Sequence, residues 1–132
     1  MSKQTRRILV ADDDKFIRNH EQSLFTSSAS VVIPVKTAEE ALETIKKGGA
    51  DVMLVDVYME GMTGPELIAL LKQAESKIPV IVMTGDSSLE LERHVRELGV
   101  FAYFVKPLET QLLVHTVKAA IESAVKHKGL IK

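Results

Sequence analysis

Five short apolar runs, each leading into a stretch of helical periodicity, constrain this chain more than any other feature. The runs are Ile8–Ala11, Val31–Val35, Met53–Met59 with Asp56 set toward its far end, Pro79–Met83 and Val100–Val105. Apolar runs of this length, rich in Val, Ile and Leu and bounded by turn signals, read as buried strands. After them, apolar residues recur at helical spacing. Ile17, His20, Glu21 and Leu24 give a modest first stripe, and Ala38, Ala41, Leu42 and Ile45 a narrow second one. Leu67, Ile68 and Leu71 mark a third helix, and Leu91, Val95 and Leu98 a fourth. Leu113, Val117, Ala120, Ile121 and Ala124 run along a long last one. Strands and helices alternating in this way predict a parallel sheet covered by helices on both faces, a doubly wound α/β fold.

The punctuation agrees with that reading. Asp14 is placed to cap the first helix and Ser27, Ser28 and Ser30 to end it. Pro34 lacks an N–H and argues that its strand lies at an edge. Thr37 with Glu40, and Ser87 with Glu90, have capping-box spacing. Gly48-Gly49 and Gly99 close helices, Gly61 and Gly64 mark a loop, and Pro65 suits a first helical turn. The tail from His127 to Lys132 is expected to fray. A chain of 132 residues fits one domain, here 1–132 with a core at about 6–126.

Composition removes several function classes. A net charge of -1 gives no general attraction to nucleic acid or to an anionic membrane. The absence of cysteine excludes disulfides, thiol catalysis and Cys-ligated zinc. No run approaches the ~20 apolar residues of a membrane span, and the first residues lack the apolar core of a signal peptide. A cytoplasmic protein is the simplest expectation. His20, His94, His115 and His127 are too scattered for a metal site, and the basic residues near the C-terminus read as a solvated tail.

In an open α/β sheet, ligands bind outside the carboxyl ends of the strands. Asp12 and Asp13 follow the first run, Asp56 ends the third, Thr84 the fourth, and Lys106 the fifth. Each residue alone could simply end its element, since Asp favours turns. Together they place acids, a hydroxyl and an ammonium on one rim. Three close carboxylates repel one another unless neutralised, and a hard cation such as Mg2+ takes oxygen ligands of this kind. Asp56 is then a candidate nucleophile for a phosphoryl group. The metal, Lys106 and the Thr84 hydroxyl would offset charge on the transferring oxygens.

These residues resemble the receiver domain of two-component response regulators. The matching pieces are Ile8 to Asp13, Leu54-Val55-Asp56 with Met59, Gly61, Met62 and Gly64, Met83-Thr84-Gly85, and Tyr103 to Pro107. The resemblance implies a flavodoxin-like sheet of order 2-1-3-4-5. It implies that Asp56 is the phosphorylated aspartate and that Asp12, Asp13, Asp56 and the Tyr58 backbone carbonyl hold Mg2+. It further implies that Thr84 and Lys106 contact the phosphoryl oxygens. Tyr103 matches the switch aromatic that turns inward when Thr84 moves, though as a residue it also reads as an ordinary strand aromatic. Tyr58 and Asp86 occupy positions whose side chains, in the family, tune hydrolysis of the phosphoryl group. The family often has Pro where Glu60 stands and Asp where Thr63 stands.

The resemblance also implies partners. A histidine kinase or histidine phosphotransfer protein would supply the phosphoryl group. Output would pass through the face formed by the fourth helix, fifth strand and fifth helix, to a protein and not directly to nucleic acid. The chain would catalyse its own phosphorylation and dephosphorylation without being a conventional enzyme, as a monomer or a phosphorylation-dependent dimer. A stand-alone regulator, a phosphorelay intermediate, a phosphate sink and a fragment of a longer regulator all remain open. Two other classes compete. An aspartyl-nucleophile phosphatase usually carries a second acid where Tyr58 stands. A flavin carrier would need a glycine- and hydroxyl-rich loop in place of the three aspartates, and would be yellow.

Overall fold

The computed structural model describes residues 5–12, 25, 30–59 and 61–130, with backbone alone at 126–130. The strands are β1 Arg6–Ala11, β2 Ser30–Val35, β3 Val52–Asp56, β4 Val80–Thr84 and β5 Ala102–Val105. The helices, numbered among the described residues, are α1 Ala38–Lys46, α2 Gly64–Gln73, α3 Leu89–Glu97 and α4 Thr110–Leu130. The first helix read from the sequence, with Asp14, Ile17, His20, Glu21 and Leu24, lies outside the described residues. The fourth and fifth helices of the sequence reading are therefore α3 and α4.

All strand pairs are parallel and the order is β2-β1-β3-β4-β5, the order the resemblance implied. Pro34 does sit on the edge strand, where its missing N–H leaves no ladder bond unmade. The pleat sends alternate residues to opposite faces. Leu9, Ala11, Met53, Val55, Val82 and Tyr103 face one core with Ala38, Ala41, Leu67, Ile68 and Val95 from α1, α2 and α3. Ile8, Val10, Leu54, Ile81 and Met83 face the other, with Phe25 and with Leu113, Val117, Ala120 and Ile121 from α4. Helices thus cover both faces, and the central strands are apolar on both sides because neither side meets water.

Local details shift some expected boundaries. β5 starts at Ala102, not Val100: Gly99, at φ +83, turns the chain after α3, and Phe101 N–H donates to the Val80 carbonyl at 2.8 Å just before the strand. The cap of α3 is Ser88, which accepts from Leu91 N–H, one residue later than the Ser87–Glu90 box predicts. The Asp86 carboxylate takes the Ser88 N–H and holds the chain in a turn there. Thr37 caps α1 as expected, but Glu40 accepts from the Thr37 hydroxyl instead of its backbone, so the box is half formed. The complete box belongs to α2, where Thr63 and Glu66 satisfy each other's backbone N–H. The helix of the tail continues to Leu130, beyond the expected fraying point at His127.

Candidate functional site

The carboxyl ends of β1, β3, β4 and β5 meet on one rim, and the side chains they carry are polar. Asp12 follows β1, and its N–H is held by the Val35 carbonyl of β2 at 3.1 Å. Asp56 ends β3. The two residues come from adjacent strands, with side chains at 0% and 13% exposure, and charged groups buried to that degree are retained only when paired. Among the described residues both carboxylates pair with Lys106, whose Nζ donates to Asp56 Oδ2 at 2.7 Å and to Asp12 Oδ2 at 3.3 Å. Its own backbone is fixed by a 2.7 Å bond from Lys106 N–H to the Thr84 carbonyl, followed by a cis bond to Pro107. Burial disfavours the Lys106 charge, but the Asp56 hydrogen bond and the two carboxylate charges outweigh it. The ammonium pKa is raised.

The loop after β3 orients Asp56, whose side chain keeps 13% exposure. Tyr58 N–H donates to Asp56 Oδ1 at 3.1 Å, which orients the carboxylate. Gly64 N–H returns to the Val57 carbonyl at 2.8 Å. A Cβ on Gly64 would lie 2.7 Å from the Asp56 carbonyl oxygen, so only glycine lets α2 start this close to the end of β3. Gly61 adopts φ +87 in the same loop. Gly85, by contrast, faces open space, and no close approach requires it.

Thr84 is fully buried, and its Oγ1 accepts from Asp86 N–H at 3.0 Å. Asp86 Oδ2 accepts from the Tyr58 hydroxyl at 2.8 Å. The Ser88 N–H and the Tyr58 hydroxyl hold the Asp86 carboxyl below its ordinary pKa, and the Tyr58 phenol is raised in turn by the same bond. That bond spans the rim from the β3 loop to the β4 loop. Neither position signals it in the sequence, because the two residues are far apart in the chain.

Tyr103 lies on the same face of the sheet as Val82, its neighbour in register, and packs into the core that α3 covers. It points inward in this structure, with the Arg96 guanidinium 5.7 Å from its ring centroid. Among the described residues its hydroxyl has no hydrogen-bond partner. Burial, then the charges of Glu92, Asp86 and Tyr58, raise its pKa against the opposing Arg96. So Asp12, Asp56 and Lys106 form one cluster, Thr84, Asp86 and Tyr58 a hydrogen-bonded chain beside it, and Tyr103 a buried neighbour. Asp13 lies outside the described residues, as does Glu60. Among the described residues no three His, Asp or Glu side chains gather as a metal cage. Among the described residues the donors are the carboxylate oxygens of Asp12 and Asp56 beside the Lys106 ammonium. That chemistry fits a hard divalent cation that keeps its own waters.

The residues missed by sequence reasoning are structural supports. Thr63, seen only as a departure from Asp, caps α2; Thr and Asp both cap well, so the loop keeps its geometry. Its signal, Thr63-Gly-Pro-Glu66, was readable as a capping box.

The response regulator receiver domain family model matches residues 8–118. The chain is 32% identical over 114 residues to the DNA-binding transcriptional regulator NtrC of Escherichia coli (strain K12), covering 86% of this chain and 24% of that protein. It is 29% identical over 112 residues to sporulation initiation phosphotransferase F of Bacillus subtilis (strain 168), covering 85% of this chain and 90% of that protein. The chain spans about a quarter or less of the first relatives' length, 24% for NtrC and 18% for the sensor kinase/phosphatase CqsS of Vibrio cholerae. Among solved structures, a CheY-like receiver domain protein from Methanospirillum hungatei JF-1 superposes with a TM-score of 0.86 at 27% identity, covering 94% of this chain and 99% of that one. A fold match, rim acids paired with the Lys106 ammonium, and these relatives lead to one assignment: the chain belongs to the response regulator receiver domain family.

Proposed function

We propose that this chain is a phosphorylation-activated signalling switch. Asp56 accepts a phosphoryl group from a phosphohistidine of a sensor kinase or histidine phosphotransfer protein, and the modification changes the surface offered to an output protein. The observation that supports this most is Asp56 itself, an acid at the rim with one oxygen on the Lys106 ammonium and the other on the Tyr58 N–H. An ionised carboxylate oxygen attacks phosphorus, the P–N bond breaks, and the imidazole leaves with its electron pair. No general base is needed, because the nucleophile has no proton to lose. Asp12, Asp13, Asp56 and the Tyr58 carbonyl would hold Mg2+, which would neutralise charge on the phosphoryl oxygens. Lys106 would move from the carboxylates to a phosphoryl oxygen and Thr84 would donate its hydroxyl to another.

The chain would catalyse its own phosphorylation and dephosphorylation. Tyr58 and Asp86, two residues beyond Asp56 and Thr84 and joined by a 2.8 Å hydrogen bond, would tune the second step. Output would use α3, β5 and α4, a face that exposes Leu89, Val105 and Leu112. Tyr103, beneath it, would relay the position of Thr84. The chain would work as a monomer or a phosphorylation-dependent dimer, in the cytoplasm with its kinase. Among the described residues no helix is long and apolar enough to cross a membrane. The match over most of sporulation initiation phosphotransferase F favours a phosphorelay intermediate as the alternative role.

The test is intact mass after incubation with acetyl phosphate, with and without Mg2+. A phosphoryl adduct is expected on the native chain with Mg2+ and not on Asp56→Asn. An equal adduct on Asp56→Asn would remove Asp56 from its role.

A further inference from the structure

Asp86 ties three parts of the rim together. Its Oδ2 accepts from the Tyr58 hydroxyl at 2.8 Å, its Oδ1 from Ser88 N–H at 2.9 Å, and its own N–H donates to Thr84 Oγ1 at 3.0 Å. Tyr58 is 56% exposed, whereas Thr84 is buried. One aspartate therefore links a surface phenol on the β3 loop to a buried hydroxyl at the end of β4.

We propose that the Tyr58–Asp86 bond is a resting-state lock on Thr84: it fixes the Asp86 amide against the Thr84 hydroxyl, and its loss eases engagement of an anion on Asp56. This rests on the receiver reading of the site. Turning Thr84 Oγ1 out of its present position strips the Asp86 N–H of its acceptor, and an amide left without a partner is costly. The amide cannot follow the hydroxyl freely, because the carboxylate of the same residue is held from two sides. Without the Tyr58 hydroxyl, residues 84–88 are held by one fewer tie and can shift together with Thr84. Tyr58 is thus a positioning residue that acts through Asp86. This role is separable from any shielding by its ring, since Tyr58→Phe keeps the ring and removes only the hydroxyl.

The test titrates the native chain and Tyr58→Phe with beryllofluoride in Mg2+, followed by amide NMR. Tyr58→Phe should bind about fivefold more tightly, the net effect of one ordinary solvent-exposed hydrogen bond. Its unliganded Thr84 and Gly85 amide resonances should move part-way toward the bound positions of the native chain, because the engaged state gains population. In an Asp86→Ala background, Tyr58→Phe should have no further effect, since the shared bond is already gone. Unchanged or weaker binding, resonances that stay in place, or an undiminished effect in the Asp86→Ala background would each overturn the lock. A native chain that binds no beryllofluoride and takes no phosphoryl group would instead remove the receiver reading, and the lock with it.

Discussion

Lys106 is the residue on which the resting site balances. Its ammonium serves Asp56 and Asp12 together, so its removal leaves two buried carboxylates without their shared counter-charge. Truncating one member of a buried ion pair is strongly destabilising; here the ammonium is partly hydrated and the loss is smaller. Lys106→Met should cost about 2 kcal/mol by urea denaturation in chelator, with part regained on adding Mg2+. An undiminished stability in chelator would mean that the carboxylates do not depend on the ammonium. The pH dependence has a defined direction. The pKa values of Lys106, Tyr58 and Tyr103 are raised, so the folded chain holds these protons more tightly than the unfolded chain. Their stabilisation is complete below the ordinary lysine and tyrosine values of about 10 and is lost as pH rises through the folded values. The urea midpoint should therefore fall above about pH 10, less steeply in Lys106→Met. A midpoint that is flat or rising there would contradict these environments. Asp13 lies outside the described residues, while Asp12, Asp56, Thr84 and Lys106 were legible as residues at strand ends. The Tyr58–Asp86 bond was not, because a contact between two loops has no local signature.

At the scale of elements, helix ends show how local chemistry sets geometry. α2 opens on the Thr63–Glu66 box with Pro65 in its first turn and closes at Ala74. Beyond that cap Glu75 adopts φ 58, while Ser76 N–H bonds the Leu71 carbonyl at 2.9 Å. This is the left-handed closing turn that glycine normally supplies, and a residue with a Cβ is disfavoured there. Glu75→Gly should stabilise the fold by about 0.5–1 kcal/mol, read as a higher thermal midpoint. A lower midpoint would show that the Glu75 side chain contributes more than the backbone conformation costs. The periodic stripes located α1, α2, α3 and α4 correctly, since burial of one face is a property of spacing. Starts and stops moved by a residue or two, as at Ser88 and Ala102. Competing side-chain bonds such as Asp86 to Ser88 choose among adjacent caps, and spacing does not rank them.

For the whole molecule, the decisive fact is that two cores share one sheet. Met53 and Val55 face the core under α1, α2 and α3, while Val52 and Leu54 face the one under α4. Neither core can loosen without disturbing the same strand, so the domain should unfold as one unit. Met53→Ala and Leu54→Ala should each cost about 2–5 kcal/mol and leave a single transition, with circular dichroism and tyrosine fluorescence coinciding. Separate transitions in either variant would show that the two cores melt independently. By itself the sequence determined the alternation of strands and helices, the parallel sheet, and the residue types at its carboxyl rim, because periodicity and strand ends are local properties. The strand order entered only through resemblance, and the pairings confirmed it. Tertiary structure alone decided which rim residues touch. It set Lys106 between Asp12 and Asp56, tied Tyr58 to Asp86, and turned Tyr103 inward. Those distances depend on how neighbouring strands twist and align in register, and no single segment carries that information.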